Sequence, residues 1–286
     1  MNLANIKDVK KVLSSEGFVF KKSLGQNFII DETVCPAMAD ACCDENTGVI
    51  EIGPGAGVLT YQLAQRAKKV VAIEIDERLR PVLKKTVGEF NNVEIIFGDV
   101  LKLDLNKIIT EKFEGCHRVA VCANLPYYIT SPIIISLLES KLNITSITAM
   151  VQLEAAQRLC SRLGNREAGA VTAVVEYYSD AEILFDVPRD CFLPAPNVDS
   201  AVINLSIRKS PAVNAEDEKL FFDIIKAGFN QRRKTLINAL SNRYKLDKPT
   251  ALSFFEEAKI SPTARAEELT IEDFSALANL IKNNKV

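Results

Sequence analysis

Hydrophobic residues along the chain fall into short runs with a repeating order. Residues 49–52, 70–75, 93–97, 119–123 and 144–151 are nearly continuous apolar stretches of strand length. Between them the spacing switches to one apolar face at helical period, as at Leu59, Leu63 and Ala67, then at Leu79, Val82 and Leu83. Strands apolar at nearly every position are covered on both faces, so the pattern predicts parallel βαβ units with right-handed crossovers. A short amphipathic helix is predicted over 6–16, before Gly17, and a second from Asp31, as its cap, to about Cys43. Pro132 sits early in the helix after the fourth strand, where its missing N–H is harmless. Residues 168–178 predict another helix. Two further strands are predicted at 181–187 and 201–207, joined through Phe192-Leu193-Pro194-Ala195-Pro196-Asn197. The turn-rich, charged stretch 208–218 reads as a domain boundary, and beyond it the pattern is helical. An α/β domain is therefore expected over 1–208 and a small all-helical domain over 209–286.

Composition narrows the function classes. The chain has 286 residues, 48% of them hydrophobic and 25% charged, enough for a sizeable core. No apolar run approaches the roughly 20 residues that span a bilayer, and the first residues lack a signal-peptide pattern, so a cytoplasmic location without membrane contact is expected. Seven cysteines, an odd number with no C-x-x-C pair, point to free buried thiols. His117 is the only histidine, so no histidine metal site is expected, nor any other bound metal, and the chemistry should not rest on an imidazole base. A net charge of −2 gives no whole-molecule pull toward nucleic acid.

The unusual residues cluster where strands end. In sheets of this type ligands bind at the carboxyl ends of the strands. Gly53, Glu74, Asp99 and Asn124 all stand there. Gly53-Pro54-Gly55-Ala56-Gly57 between a strand and a helix is a generic nucleotide-binding turn, in which glycines admit the ligand and the helix offers free N–H groups. Val58 stands where a dinucleotide fingerprint has its third glycine, which disfavours NAD and leaves an adenosine ligand without pyrophosphate. Glu74, about 20 residues on, suits ribose hydroxyls. Asp99 suits an adenine amino group, or simply caps its own loop.

Asn124-Leu125-Pro126-Tyr127 carries the most specific chemistry. An exocyclic adenine amine is a poor nucleophile because its lone pair is delocalised into the ring. Two acceptors on its hydrogens, the Asn124 side-chain carbonyl and the Leu125 backbone carbonyl, draw the nitrogen toward a tetrahedral shape. Pro126 fixes the backbone. Tyr127 offers a flat face for an extruded base.

Gln26-Asn27-Phe28-Ile29, Glu51-Ile52-Gly53-Pro54-Gly55, Asn124-Leu125-Pro126-Tyr127, Phe192-x-Pro194-x-Pro196-x-Val198-Asp199-Ser200 and Arg232-Arg233-Lys234-Thr235-Leu236 together resemble the ribosomal RNA adenine N6-dimethyltransferases. The resemblance spans residues 21 to about 240. It implies a Rossmann-like S-adenosylmethionine-dependent methyltransferase with a mostly parallel seven-stranded sheet. It also implies a cofactor site formed by Gln26, Asn27, Ile29, Gly53, Gly55, Glu74, Asp99, Val100 and Asn124. Phe192 would stack on the target adenine opposite Tyr127. Asn197 stands where the family often has lysine, and Ile29 where leucine is common.

Two branches of that family compete. One dimethylates two adjacent adenines in the 3′-terminal hairpin of small-subunit (16S) rRNA during ribosome assembly. The other modifies one adenine of large-subunit rRNA and confers antibiotic resistance. Tyr128-Ile129-Thr130-Ser131-Pro132, Val198-Asp199-Ser200 and Arg232–Leu236 resemble the small-subunit branch. Its implied partner is rRNA in an immature 30S-like particle, bound by a monomer. A third possibility is an assembly or transcription-associated factor that binds RNA without transferring methyls; it would need none of Glu74, Asp99 or Asn124–Tyr127.

Charge then looks different locally. Lys226, Arg232, Arg233, Lys234, Arg243, Lys245 and Lys248 face a single acid, Asp247, over 226–248. This run, with Arg158, Arg162 and Arg166 at about one-turn spacing and Lys7, Lys10, Lys11, Lys21 and Lys22, is expected to contact RNA phosphates.

Overall fold

A computed structural model describes residues 12–18 and 28–284. Gln26, Asn27, the basic residues at 7–11 and 21–22, and most of the helix expected over 6–16 lie outside the described residues; 12–15 are helical.

The strands are β1 (Phe28–Ile29), β2 (Thr47–Ile52), β3 (Lys69–Glu74), β4 (Val93–Phe97), β5 (Arg118–Asn124), β6 (Ser146–Gln152), β7 (Ser179–Val187), β8 (Phe192–Leu193) and β9 (Ser200–Ile207). Seven of them form one sheet in the order β4-β3-β2-β5-β6-β9-β7. The first five run parallel, and β9 returns antiparallel to β6. The chain winds outward from β2 through β3 to β4, then crosses back to β5 on the other side of β2. Between β2 and β5 the winding reverses, and such a switch point is where ligands settle. Every residue of β2 is buried, Glu51 included, as expected of a central strand covered on both faces.

β1 and β8 pair antiparallel as a separate two-stranded ribbon, with Ile29 opposite Phe192. Two residues are too few for a strand period to show, so neither was legible in the sequence. The helix Leu105–Lys112 also lacked a clear signal; the Asp104 side chain caps it by accepting from the Lys107 N–H at 3.0 Å. The helix expected to be capped by Asp31 starts at Val34 with Thr33 as N-cap. Asp31 instead accepts from the Thr33 N–H at 2.8 Å and shapes the turn before it. His117 is exposed in a loop. All seven cysteines are free, but only Cys35, Cys42, Cys43 and Cys122 are buried; the other three are partly exposed.

The chain forms two compact units, 1–156 with 182–207, and 157–181 with 208–286. This departs from a single cut at 208: residues 157–181 group with the C-terminal helices. Aromatic packing explains it. The Tyr177 ring lies 5.3 Å from Phe221 and 5.2 Å from Phe222, and the Tyr178 hydroxyl donates to Glu218 at 2.5 Å. Within this unit the helices Ala170–Tyr178, Glu218–Phe229, Leu236–Tyr244, Lys248–Glu257 and Ile271–Asn283 bury apolar faces around Phe221, Phe255 and Phe274. Among the described residues no helix is long and apolar enough to cross a membrane.

Candidate active site

Parallel register sets the residues of the site side by side. Ile52 of β2 pairs with Ile73 of β3 and with Ala123 of β5, so Gly53, Glu74 and Asn124 follow at one level of the sheet. From there the glycine turn leads into the helix Val58–Ala64. Gly53, Gly55 and Gly57 all have positive φ, the region that favours glycine. At Gly55 a Cβ would come within 2.8 Å of the Phe28 ring, so the turn and β1 approach only because the side chain is absent. At Gly53 a Cβ would meet nothing within 4 Å, and that open space faces the pocket.

The pocket is an open crevice at the carboxyl ends of β2, β3 and β5. Its lining includes Ile29, Gly53, Gly55, Glu74, Asn124, Leu125, Pro126 and Tyr127 from the residues expected by sequence, and adds Phe28, Glu51, Ile75 and Tyr128. Among the described residues no lysine, arginine or histidine lines it.

The two acids differ in what holds them. Glu74 is buried and braces the turn: its carboxylate accepts from the Gly55 N–H at 3.0 Å and from the Asp76 N–H at 2.8 Å. Burial raises its pKa, while those N–H groups pull the other way. Glu51 is 1% exposed, and neither carboxylate oxygen has a partner at hydrogen-bond distance among the described residues, although nearby Thr60 favours its charged form. Burial pushes its pKa up to about 8. An orphaned acid in a low-dielectric pocket is costly unless a ligand satisfies it. Sequence reasoning passed over Glu51 as a site residue. The signal was there: an acid inside an otherwise apolar strand covered on both faces.

Two buried carboxylates, no basic side chain among the described lining residues, and a turn open at Gly53 suit a ligand with cationic groups and an adenosine. S-adenosylmethionine has both, a sulfonium and an ammonium, and the residues present fit it. Asp99 and Val100 stand apart from the crevice lining. β4 is two strands from β2, and the Asp99 carboxylate accepts from the Leu101 N–H at 3.1 Å and lies 3.4 Å from the Lys102 ammonium, as a loop-capping aspartate does.

At the Asn-Leu-Pro-Tyr segment the Leu125 N–H donates to the Met150 carbonyl at 3.1 Å, tying the turn to β6. Tyr127 is half-buried, with its phenol oxygen 2.7 Å from the hydroxyl of fully buried Ser200. Burial raises the Tyr127 pKa, so the phenol keeps its proton. Phe192 is placed differently from the expectation. Its ring is 3% exposed in the core, and its backbone pairs with Ile29 of β1. It is not among the residues lining the crevice, to which its segment is linked by the Phe192–Ile29 pairing and the Ser200–Tyr127 contact.

The basic candidates Arg158, Arg162, Lys226, Arg232, Arg233 and Lys234 are all exposed. Arg158 belongs to the helix Leu153–Leu159, but Arg162 and Arg166 follow its end, so the three do not share one helix face. Arg232 is engaged within its own unit: it donates to the Ala168 carbonyl at 2.7 Å, lies 3.6 Å from the Glu267 carboxylate and sits over the Phe229 ring. Arg243 forms a two-pronged pair with Asp223 at 2.7 and 3.0 Å and holds that carboxyl below its ordinary range. The side chains of Arg233 and Lys234 make no hydrogen bond or ion pair among the described residues.

Residues 17–283 match the family model of the ribosomal RNA adenine dimethylases. A Geobacillus protein named ribosomal RNA small subunit methyltransferase A is 47% identical over 278 residues, covering 96% of each chain. Among solved structures, a dimethyladenosine transferase from Plasmodium falciparum has a TM-score of 0.73 at 25% identity, covering 91% of this chain and 98% of that one. The 23S rRNA methyltransferase ErmE has a TM-score of 0.66 at 25% identity, covering 89% and 99%.

Proposed function

Because this chain belongs to the ribosomal RNA adenine dimethylase family, we propose that it acts on small-subunit rRNA, at two adjacent adenines of the 3′-terminal hairpin. It is an S-adenosylmethionine-dependent rRNA adenine dimethyltransferase with a Rossmann-like fold. The observation that carries the small-subunit reading is full-length identity of 47% to a protein named for that subunit. The proposed particle is an immature small subunit in the cytoplasm, and the enzyme acts as a monomer.

The bound cofactor supplies a methyl group already activated as a sulfonium. Glu51 accepts hydrogen bonds from a cationic group of the ligand, and Glu74, with lone pairs left after bracing the turn, accepts from ribose hydroxyls. Gly53 leaves room for the ligand, and Ile29 and Ile75 pack against it. Gln26, Asn27, Asp99 and Val100 are the further cofactor contacts that the family resemblance implies. The Asn124 side-chain carbonyl and the Leu125 carbonyl accept the two N6 hydrogens of the target adenine and orient its lone pair along the line of attack. Tyr127 stacks on the extruded base while Ser200 fixes its ring. Much of the rate comes from this positioning, because no strong base is needed. Arg158, Arg162, Lys226, Arg233 and Lys234 contact phosphates, with Arg232 shaping that surface from within.

Labelled-methyl transfer to small subunits lacking the modification tests the reading. Dimethyladenosine at two adjacent positions is expected. No transfer there, with activity on naked large-subunit rRNA, overturns it. Asn124→Ala should lower turnover on the order of 100-fold, the scale of losing one preorganised group, while RNA affinity changes little.

A further inference from the structure

Two consecutive tyrosines line the crevice, and they are held differently. Tyr127 is half-buried and tied to Ser200. Tyr128 is 61% exposed, more than any other large hydrophobic side chain among the described residues. It makes no hydrogen bond, ion pair or ring contact with the described residues.

Both lie in one 3₁₀ turn, Tyr127–Ile129, between the end of β5 and the helix Thr130–Glu139. Such a turn has about three residues per repeat, so successive side chains point about 120° apart. The two rings therefore do not form parallel walls of one slot. They offer separate faces at the same crevice. An exposed aromatic ring beside a ligand pocket leaves stacking area unused, and base–aromatic stacking is the usual way proteins hold unpaired nucleotides.

The chemistry of the substrate says what occupies that face. A strand that delivers one base to Tyr127 carries another base one nucleotide away. We propose that Tyr128 forms a second base subsite, stacking the nucleotide adjacent to the target adenine. This rests on the adenine-dimethylating reading above and deepens it. The strand has one polarity, so the Tyr128 face takes the neighbour on one side only, and of two adjacent target adenines just one is held there while the other is at Tyr127. Methylation at N6 leaves the flat face of a base intact, so the subsite accepts modified and unmodified adenine alike.

The test uses the full-length enzyme, unmodified small subunits as substrate and S-adenosylmethionine binding by calorimetry. Tyr128→Ala should raise KM for the subunit by about tenfold, within the range of one lost base stack. Its kcat and cofactor affinity should stay close to wild type, and Tyr128→Phe should restore KM, since the face rather than the hydroxyl is used. Tyr128→Ala should also unbalance the yields of the two dimethyladenosines at low subunit concentration. An unchanged KM overturns the inference. So does a cofactor affinity that falls by the same factor as KM rises, which would make Tyr128 a cover for the cofactor. Wild-type enzyme that fails to methylate small subunits overturns the substrate reading itself, a result visible before any variant is made.

Discussion

At the scale of single residues the site is governed by how each polar group is satisfied. Glu74 and Glu51 are both buried acids at the ends of adjacent strands, yet one is braced by two backbone N–H groups and the other is left for a ligand. The difference has a consequence for stability. The pKa of Glu51 in the folded chain is about 8, against about 4.3 when unfolded. Between those values the native state holds a proton that the unfolded state has lost. Stability therefore falls as pH rises through that window, by up to about 1.4 kcal/mol per pH unit, and the loss has not begun below the unfolded value. Glu51→Gln should flatten the profile, leaving the smaller slope of the same sign from Glu74. Urea midpoints at pH 5 and pH 8 measure this; parallel profiles for variant and wild type would contradict the assignment. The sequence revealed Asn124, Gly53 and Glu74 because their types are rare at strand ends. It did not reveal the partner of Tyr127, because Ser200 lies 73 positions away.

At the scale of elements, the glycine turn is the joint between β2 and its helix, and its glycines are not equivalent. Gly57 has φ +85°, and a Cβ there would come within 2.8 Å of the Thr86 hydroxyl and 3.1 Å of Val87. Gly53 has φ +71° and open space. A side chain in the left-handed region costs about 1–2 kcal/mol by itself. Gly57→Ala adds the clash, so it should lower unfolding free energy by about 2 kcal/mol or more. Gly53→Ala should cost only the strain but should weaken cofactor binding more, because its methyl enters the crevice. Urea denaturation and cofactor calorimetry on both variants separate these effects; equal losses of stability would show that the Thr86 contact yields freely. Apart from the helix Leu105–Lys112, the order of the longer strands and helices was legible from hydrophobic period. The β1–β8 ribbon was not, since two-residue strands have no period and are defined only by their partners.

At the scale of the whole molecule, a net charge of −2 conceals an uneven distribution. The basic run at 226–248 remains the densest, but the structure divides its members. Arg243 is paired with Asp223 and Arg232 is engaged within its unit, whereas Arg233 and Lys234 are exposed without an ion pair. Binding to rRNA should therefore weaken steeply with salt despite the acidic balance. Replacing Arg233 and Lys234 together by alanine should reduce the slope of log Kobs against log salt by about 1–2, with cofactor affinity unchanged. Arg243→Ala should leave that slope unchanged and lower stability only slightly, because an exposed pair contributes little. A shallow wild-type slope would mean these residues do not meet phosphate.

The sequence by itself determined the alternation of strands and helices, the glycine turn, and the chemistry of Asn124 to Tyr127. Those depend on local period, on backbone conformations open to few residues, and on residue types with one evident use. Tertiary structure alone decided the orphaned state of Glu51, the burial of Phe192, the Ser200 anchor beneath Tyr127, and the grouping of 157–181 with the C-terminal helices. Each of these depends on which groups meet, or fail to meet, across long stretches of chain. A linear pattern records a residue's own character but not the partner that satisfies it.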